Sequence, residues 1–325
     1  MSSRLGICAP LAPPCPGIHA AFRAFYNVTP FERFAYLACN QAILEVFHDK
    51  RMVHIVDLDV VPGGALQWLS LLPALVARPG GPPFLRVTGF GTSGSVLHDT
   101  GNQLAGLASK LSMPFEFYAI AKRPGDVDAA ADVLSKRPGE ALAVHWLRHA
   151  MYDAAGDDGA TTRLVRWLEP KVLTLVEQEL GAPGDGSAGH DHGHFLDRFV
   201  SALHHYSVLF DSLGESQPAD EDASRHLVEH GVLGREIGNV LAVGGPSRRG
   251  RGKFGCWRAK LARHGFLRAG TGRRAQLVAG ACPAGLGYTV ADDHDGTVRL
   301  GWKGTSLYAT STWTWCPSPH VNQVS

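Results

Sequence analysis

Short apolar runs alternate with amphipathic segments over the first half of this chain. Five runs rich in Val, Leu, Ile and Phe predict buried strands at residues 52–59, 84–90, 115–120, 141–146 and 171–177. The segments between them predict helices near residues 66–76, 96–111, 127–134 and 160–168. Strands that alternate with helices favour a mostly parallel sheet with right-handed crossovers.

The pattern changes in the second half. Apolar residues at helical spacing from Phe195 to Phe210 predict a long amphipathic helix, and segments 227–243 and 254–264 predict two more. The strands predicted at the end are short and separated by turns, at residues 288–290, 298–302 and 306–313. Asp295-Gly296 is a hairpin signal, so this end predicts an antiparallel hairpin or meander.

Together these elements predict an α/β fold. We expect a Rossmann-like, doubly wound, mostly parallel sheet on the plan of class I methyltransferases, with a C-terminal antiparallel hairpin. Pro30 starts a helix before the first strand, which gives a partial N-terminal helical cap. We expect a flexible N-terminus (1–18), one domain (19–314, with the cap at 19–50 and the α/β core at 51–314) and a C-terminal tail (315–325).

Composition and charge narrow the class of protein. Of the 325 residues, 45% are hydrophobic and 19% charged, which is typical of a globular protein. The formal net charge of +1 gives no overall attraction to nucleic acid, so any DNA contact must come from a local patch. Six widely spaced cysteines without a C-x-x-C pair indicate reduced thiols of an intracellular protein. No apolar run approaches the roughly 20 residues that cross a bilayer, and we expect no membrane partner.

The first strand would place a ligand site at its carboxyl end. An adenosyl cofactor needs several glycines after this strand and an acidic residue after the second. Here the loop from Asp59 to Ala65 contains two glycines and Pro62, and the second strand ends without a carboxylate. We therefore expect no cofactor, and keep an S-adenosylmethionine-dependent methyltransferase as the alternative. His54 and Asp57 fall on opposite faces, which favours a buried core histidine and a carboxylate that caps the turn.

Other candidate sites are weak. The histidines at 190, 192, 194, 204 and 205 cluster in sequence, but three sit in a Gly-rich stretch and the last two are adjacent, so we expect no metal site. No Ser/His/Asp or Cys/His arrangement stands out by its spacing, so we expect no catalytic residues. One basic run could contact DNA phosphates, or be a solvated loop; it contains Arg248, Arg249, Arg251 and Lys253. Most of the late tryptophans are expected in the core.

Several motifs in order carry a family resemblance. The first is Val53-His54-Ile55-Val56-Asp57 with Gln67, which resembles the VHIID signature of the plant GRAS family. Residues that resemble its PFYRE region are Pro170, Phe195, Tyr206, Arg235 and Glu236. Residues that resemble its SAW region are Trp257, Gly265, Leu300, Trp302, Ser311 and Trp313. Within the family, segments 143–147, 176–179, 209–213 and 239–248 are most similar to the SCARECROW branch.

The resemblance implies a nuclear regulator of transcription in plant development. It implies complexes with other GRAS proteins of the SHORT-ROOT type and with zinc-finger DNA-binding factors. It also implies contact with DNA, either directly or through these partners. Three departures from the family pattern stand out: the chain starts inside the first helical region, Pro62 replaces a glutamine beside the inserted Gly64-Ala65, and Thr312 replaces an alanine. A chain with a shortened cap could also bind partners without forming productive complexes, and this third hypothesis stays open.

Overall fold

The five predicted strands of the first half form the parallel part of a nine-stranded sheet. The computed structural model describes residues 18–61, 63–127, 134, 136–147, 158–179, 191–216, 222–241, 257–270, 274–281, 287–293 and 296–316. The strands are β1 Met52–Asp57, β2 Phe84–Phe90, β3 Phe115–Ile120, β4 Glu140–Leu147, β5 Val172–Gln178, β6 Phe266–Arg268, β7 Tyr288–Asp293, β8 Thr297–Trp302 and β9 Thr305–Trp315. The helices are α1 Ile18–Val28, α2 Phe31–Phe47, α3 Ala65–Ala77, α4 Gly94–Lys110, α5 Asp158–Leu168, α6 Asp191–Ser216, α7 Asp222–His226, a π-helix Leu227–Leu233, α8 Gly234–Leu241, α9 Trp257–Arg263 and α10 Arg274–Ala281.

The sheet order is β3-β2-β1-β4-β5-β9-β8-β7, with β1 to β5 parallel. The order reverses between β1 and β4, so β1 is central and its carboxyl end lies at the switch point of the sheet. This confirms the predicted doubly wound, Rossmann-like plan.

The C-terminal strands extend the sheet in the antiparallel sense. β9 pairs with β5 on one side and with β8 on the other, and β7 completes the meander. The last residues of β9 pair with β6, a strand of three residues that the residue pattern does not predict. β9 reaches Trp315, one residue into the predicted tail.

Strand alternation puts two separate cores on the two faces of the sheet. Val53 and Ile55 of β1 pack with α2, α3 and α4 on one face. Val56 of β1 packs on the other face with α5 and α9. Both sets are fully buried because each face of a parallel sheet is covered by helices.

The helical cap draws on two distant parts of the chain. α1 and α2 share a core with the middle of α6 and with the π-helix, and α1 packs directly on α7 and the π-helix. The residue pattern predicts a cap of residues 19–50 and no separate helix before Pro30. The structure adds helix α1, and packs α7, the π-helix and the middle of α6 onto the same core.

Two further predictions differ in detail. Strand β1 ends at Asp57, two residues early, because Asp57 already caps the following turn. The helix predicted at 227–243 begins as the π-helix and becomes α-helical at Gly234. The helix predicted at 127–134 lies mostly outside the described residues. No helix in the described part of the chain has the length and apolar character to span a bilayer.

Candidate functional site

The carboxyl end of β1 is held by Asp57. Its Oδ1 accepts a hydrogen bond from the backbone N–H of Asp59 at 3.1 Å, and its Oδ2 accepts one from the indole Nε1 of Trp68 at 2.9 Å. Burial raises the pKa of Asp57 to about 6. The carboxylate therefore caps the turn and fixes α3, as the strand pattern predicts.

His54 lies on the other face of β1, beside a buried ion pair. Its Nε2 is 2.9 Å from Thr88 Oγ1, and its Nδ1 is 3.7 Å from Glu140 Oε2. Arg86 Nε donates to Glu140 Oε1 at 2.9 Å, and both side chains are almost fully buried. Burial, together with the charge of Arg86, lowers the pKa of His54 to about 2, so this histidine is neutral and structural.

The space between the ends of β1 and β2 is filled by the protein itself. The backbone N–H of Val60 donates to the carbonyl of Phe90 at 2.7 Å, which draws the loop after β1 over the end of β2. Val60 Cγ2 lies 2.7 Å from the point where a Cβ on Gly89 would sit. In a dinucleotide-binding fold the ligand approaches the backbone at this place. The residues present do not fit an adenosyl group here.

Sequence reasoning missed this filling, although a signal was present. Val60 and Val61 are both buried, and two β-branched apolar residues stand in a loop where a cofactor site uses glycine. Gly63, at φ +87°, supplies the left-handed turn into α3.

Two of the PFYRE residues, Tyr206 and Glu236, lie where the helices of the cap meet the sheet. Gln178 Nε2 of β5 donates to Glu236 Oε2 of α8 at 3.0 Å, so it joins the two parts. Burial and the Glu236 carboxylate raise the pKa of Tyr206 on α6 and of Tyr308 on β9 above the ordinary value, which places all three side chains in one buried cluster.

The other members of that group lie apart from this cluster or outside the described side chains. Pro170 is buried just before β5, and Arg235 is half-buried on α8. The backbone of Phe195 belongs to α6, and its side chain lies outside the described residues.

The SAW residues are core anchors. Trp257, Leu300, Trp302 and Trp313 are almost fully buried, as is Ser311, whose hydroxyl accepts a hydrogen bond from Trp313 Nε1 at 3.0 Å. Trp302 Nε1 donates to Asp211 Oδ2 of α6 at 2.7 Å. Gly265, at φ +87°, ends α9 with the left-handed turn that leads into β6.

The remaining candidate residues are those of the basic run and the adjacent histidines of α6. The basic run with Arg248, Arg249, Arg251 and Lys253 lies outside the described residues. His204 is exposed and His205 is buried on α6, since adjacent helix residues point about 100° apart. Among the described residues, no group of three or more His, Cys, Asp or Glu side chains is placed to hold a metal ion.

Comparisons with known proteins agree with this architecture. The sequence profile of the GRAS domain family matches residues 15–314. The chain is 44% identical over 333 residues to Protein SCARECROW of Pisum sativum, which covers 100% of this chain and 38% of that protein. It is 46% identical over 299 residues to Protein SCARECROW of Arabidopsis thaliana, which covers 91% of this chain and 43% of that protein. The chain thus spans less than half the length of these relatives.

A solved structure gives independent support for the fold. The crystal structure of SCL7 in Oryza sativa superposes with a TM-score of 0.75 at 26% sequence identity, and covers 91% of this chain and 83% of that one. The motifs, the strand order, the family profile and the relatives agree, and the chain belongs to the GRAS domain family.

Proposed function

We propose that this protein is a regulator of transcription in plant development. The observation that carries the proposal is the match of the GRAS domain family to residues 15–314, together with 44–46% identity to SCARECROW proteins of plants. We place its action in the nucleus, since regulation of transcription requires it.

Protein complexes are the proposed mode of action. The proposed partners are other GRAS proteins of the SHORT-ROOT type and zinc-finger factors that bind DNA. The structure supports a scaffold role, because residues of the family motifs make contacts inside the protein. Asp57 accepts a hydrogen bond from Trp68, and Glu236 accepts one from Gln178. Direct DNA contact through the basic run at residues 248–253 is part of the proposal.

A methyltransferase is the alternative on the same scaffold. The filling of the cofactor space by Val60, and the absence of a carboxylate at the end of β2, argue against it. Isothermal titration of the full chain with S-adenosylmethionine tests this point. We expect no saturable heat of binding. Saturable binding at micromolar concentration would favour the methyltransferase.

The regulator proposal is tested in plant protoplasts. The full chain, fused to a fluorescent protein, is expected in the nucleus, and an affinity tag is expected to co-purify a co-expressed SHORT-ROOT-type GRAS protein. The variant Glu236→Ala removes the hydrogen bond between α8 and Gln178 of β5 and should reduce capture. Immunoblots control for the amount of total protein. A chain that stays outside the nucleus and captures no such partner would refute the proposal. Capture without any response of a target reporter would favour the third hypothesis, binding without productive complexes.

A further inference from the structure

Two exposed histidines stand together on the surface of the cap. His226 is the last residue of α7, and His230 lies four residues later in the π-helix. Their ring centroids are 4.2 Å apart, with 42° between the ring planes, and both side chains are exposed. Side chains four residues apart project from the same face of a helix, which explains why the two rings meet. Two imidazoles are thus presented to solvent side by side.

The backbone that carries the two histidines is held against α1. Val228 and Val232 of the π-helix are buried in the core that α1 shares. A Cβ on Gly231 would lie 2.6 Å from Cβ of Ala21, so the π-helix and α1 approach each other closely. A π-helix is rare and frequently occurs at a functional site. Since the helix is fixed in this way, the two histidines lose less conformational entropy when they bind a ligand.

The nitrogens of the two imidazoles are not engaged elsewhere. Within the part of the chain that the structure describes, neither His226 nor His230 forms a hydrogen bond or an ion pair. The charged side chains beside them in the sequence satisfy each other, because Arg225 Nε donates to Glu229 Oε1 at 2.7 Å. The ring nitrogens are therefore available to a ligand from solution.

The distance between the rings suits ligation of one transition-metal ion. Zinc binds a histidine nitrogen at about 2.0–2.1 Å in tetrahedral geometry, so two imidazoles on one ion have ring centroids about 5 Å apart. The observed 4.2 Å between His226 and His230 reaches this value by a small rotation of the exposed side chains. Imidazole is a preferred ligand of Zn²⁺, Cu²⁺ and Ni²⁺, and histidines spaced four apart on a helix bind zinc in metalloproteases.

We propose that His226 and His230 bind one divalent transition-metal ion of the zinc type on the surface of the cap. Among the described residues, no group of three or more His, Cys, Asp or Glu side chains is placed to hold a metal ion, so water takes the other positions of the ion. Such a site binds its ion reversibly, unlike a structural zinc site with four protein ligands. The bound ion joins α7 to the π-helix and stabilises the folded cap as the metal concentration rises. The inference is independent of the proposed function.

Isothermal titration of the full chain with Zn²⁺, without a polyhistidine tag, tests the proposal. The variant His226→Gln/His230→Gln is compared with His98→Gln/His204→Gln, which removes two exposed histidines from separate helices, α4 and α6. We expect wild type and the control to bind Zn²⁺ at micromolar concentration, and the first variant to bind at least about tenfold more weakly at this site. Thermal melts without metal should be alike for all three proteins, because the replaced side chains are exposed. Added Zn²⁺ should raise the melting temperature of wild type and the control more than that of the first variant.

A second variant separates this pair from the histidine-rich segment before α6. The triple variant His190→Gln/His192→Gln/His194→Gln should keep the micromolar Zn²⁺ site. If the triple variant loses that site while His226→Gln/His230→Gln binds as wild type, the segment at 190–194 holds the ion and the inference is wrong. It is equally wrong if wild type binds Zn²⁺ only at millimolar concentration, or if the two double variants bind alike. Each single variant, His226→Gln or His230→Gln, should lose most of the affinity, since one imidazole alone does not chelate.

Discussion

The indole of Trp68 donates a hydrogen bond of 2.9 Å to the buried carboxylate of Asp57, and this contact fixes α3 on the end of the central strand. The same ring meets the imidazole of His145 edge-on, with 5.3 Å between centroids. Asp57 and His145 are register partners in β1 and β4. Asp57 and Trp68 therefore satisfy each other at the switch point of the sheet, and the ring of His145 packs against the same indole.

Replacing Asp57 by Ala should destabilise the protein by about 2–4 kcal/mol, because Trp68 Nε1 and the backbone N–H of Asp59 both lose their acceptor in a buried place. Urea denaturation followed by tryptophan fluorescence measures the free energy of unfolding. The control Asp57→Asn keeps one acceptor oxygen and should cost clearly less. Equal losses for the two variants would show that the hydrogen bonds do not matter.

Gly89→Ala should be destabilising by about 1–3 kcal/mol, because the new Cβ would lie 2.7 Å from Val60 Cγ2. Val60→Ala should cost about 1–2 kcal/mol through lost packing. In the double variant the clash is gone, so its loss should be smaller than the sum of the two single losses. Strict additivity in this double-mutant cycle would contradict the proposed filling of the cofactor space.

His145 should make the protein sensitive to acid. Burial lowers the pKa of this histidine to about 3, whereas in the unfolded chain it titrates near 6.5. The unfolded state therefore binds a proton that the folded state does not. The stabilisation is complete above about pH 6.5 and is lost as the pH falls toward the folded pKa, by about 1.4 kcal/mol per pH unit.

The variant His145→Gln tests this dependence, because the amide does not titrate and can still hydrogen bond to Thr174, whose Oγ1 lies 2.9 Å from His145 Nδ1. Between about pH 6.5 and pH 5, wild type should lose about 2 kcal/mol more than the variant in urea titrations. Contributions from other titrating groups cancel in this difference. If the free energies of unfolding of wild type and variant change in parallel with pH, His145 is not the source of the acid sensitivity.

Glu140→Leu should cost about 3–5 kcal/mol, because it leaves the charge of Arg86 buried without its partner beside His54. The double variant Arg86→Met/Glu140→Leu removes both charges and should recover a large part of the loss. Thermal unfolding provides the comparison. A double variant less stable than Glu140→Leu would show that the ion pair itself, rather than the unpaired charge, is the main contribution.

The residue pattern is sufficient to predict the alternation of strands and helices, and to identify the family. Strands β1 to β5 fall on the short apolar runs of the first half, because buried strands in a parallel sheet have to be apolar on both faces. It also determined that His54 and Asp57 face opposite sides, since side chains alternate along a strand. Motifs such as Val53 to Asp57 carried the family, as the comparisons confirm.

The contacts that these residues make follow from tertiary packing and cannot be predicted from the pattern. That Val60 covers Gly89, that Gln178 reaches Glu236, and that Arg166 lies over the ring of Trp315 depends on the packing of segments that are distant in sequence. Local periodicity contains no information about such contacts, because they arise when helices settle on the sheet. The same packing turned a strand that looks like the edge of a cofactor site into a closed core.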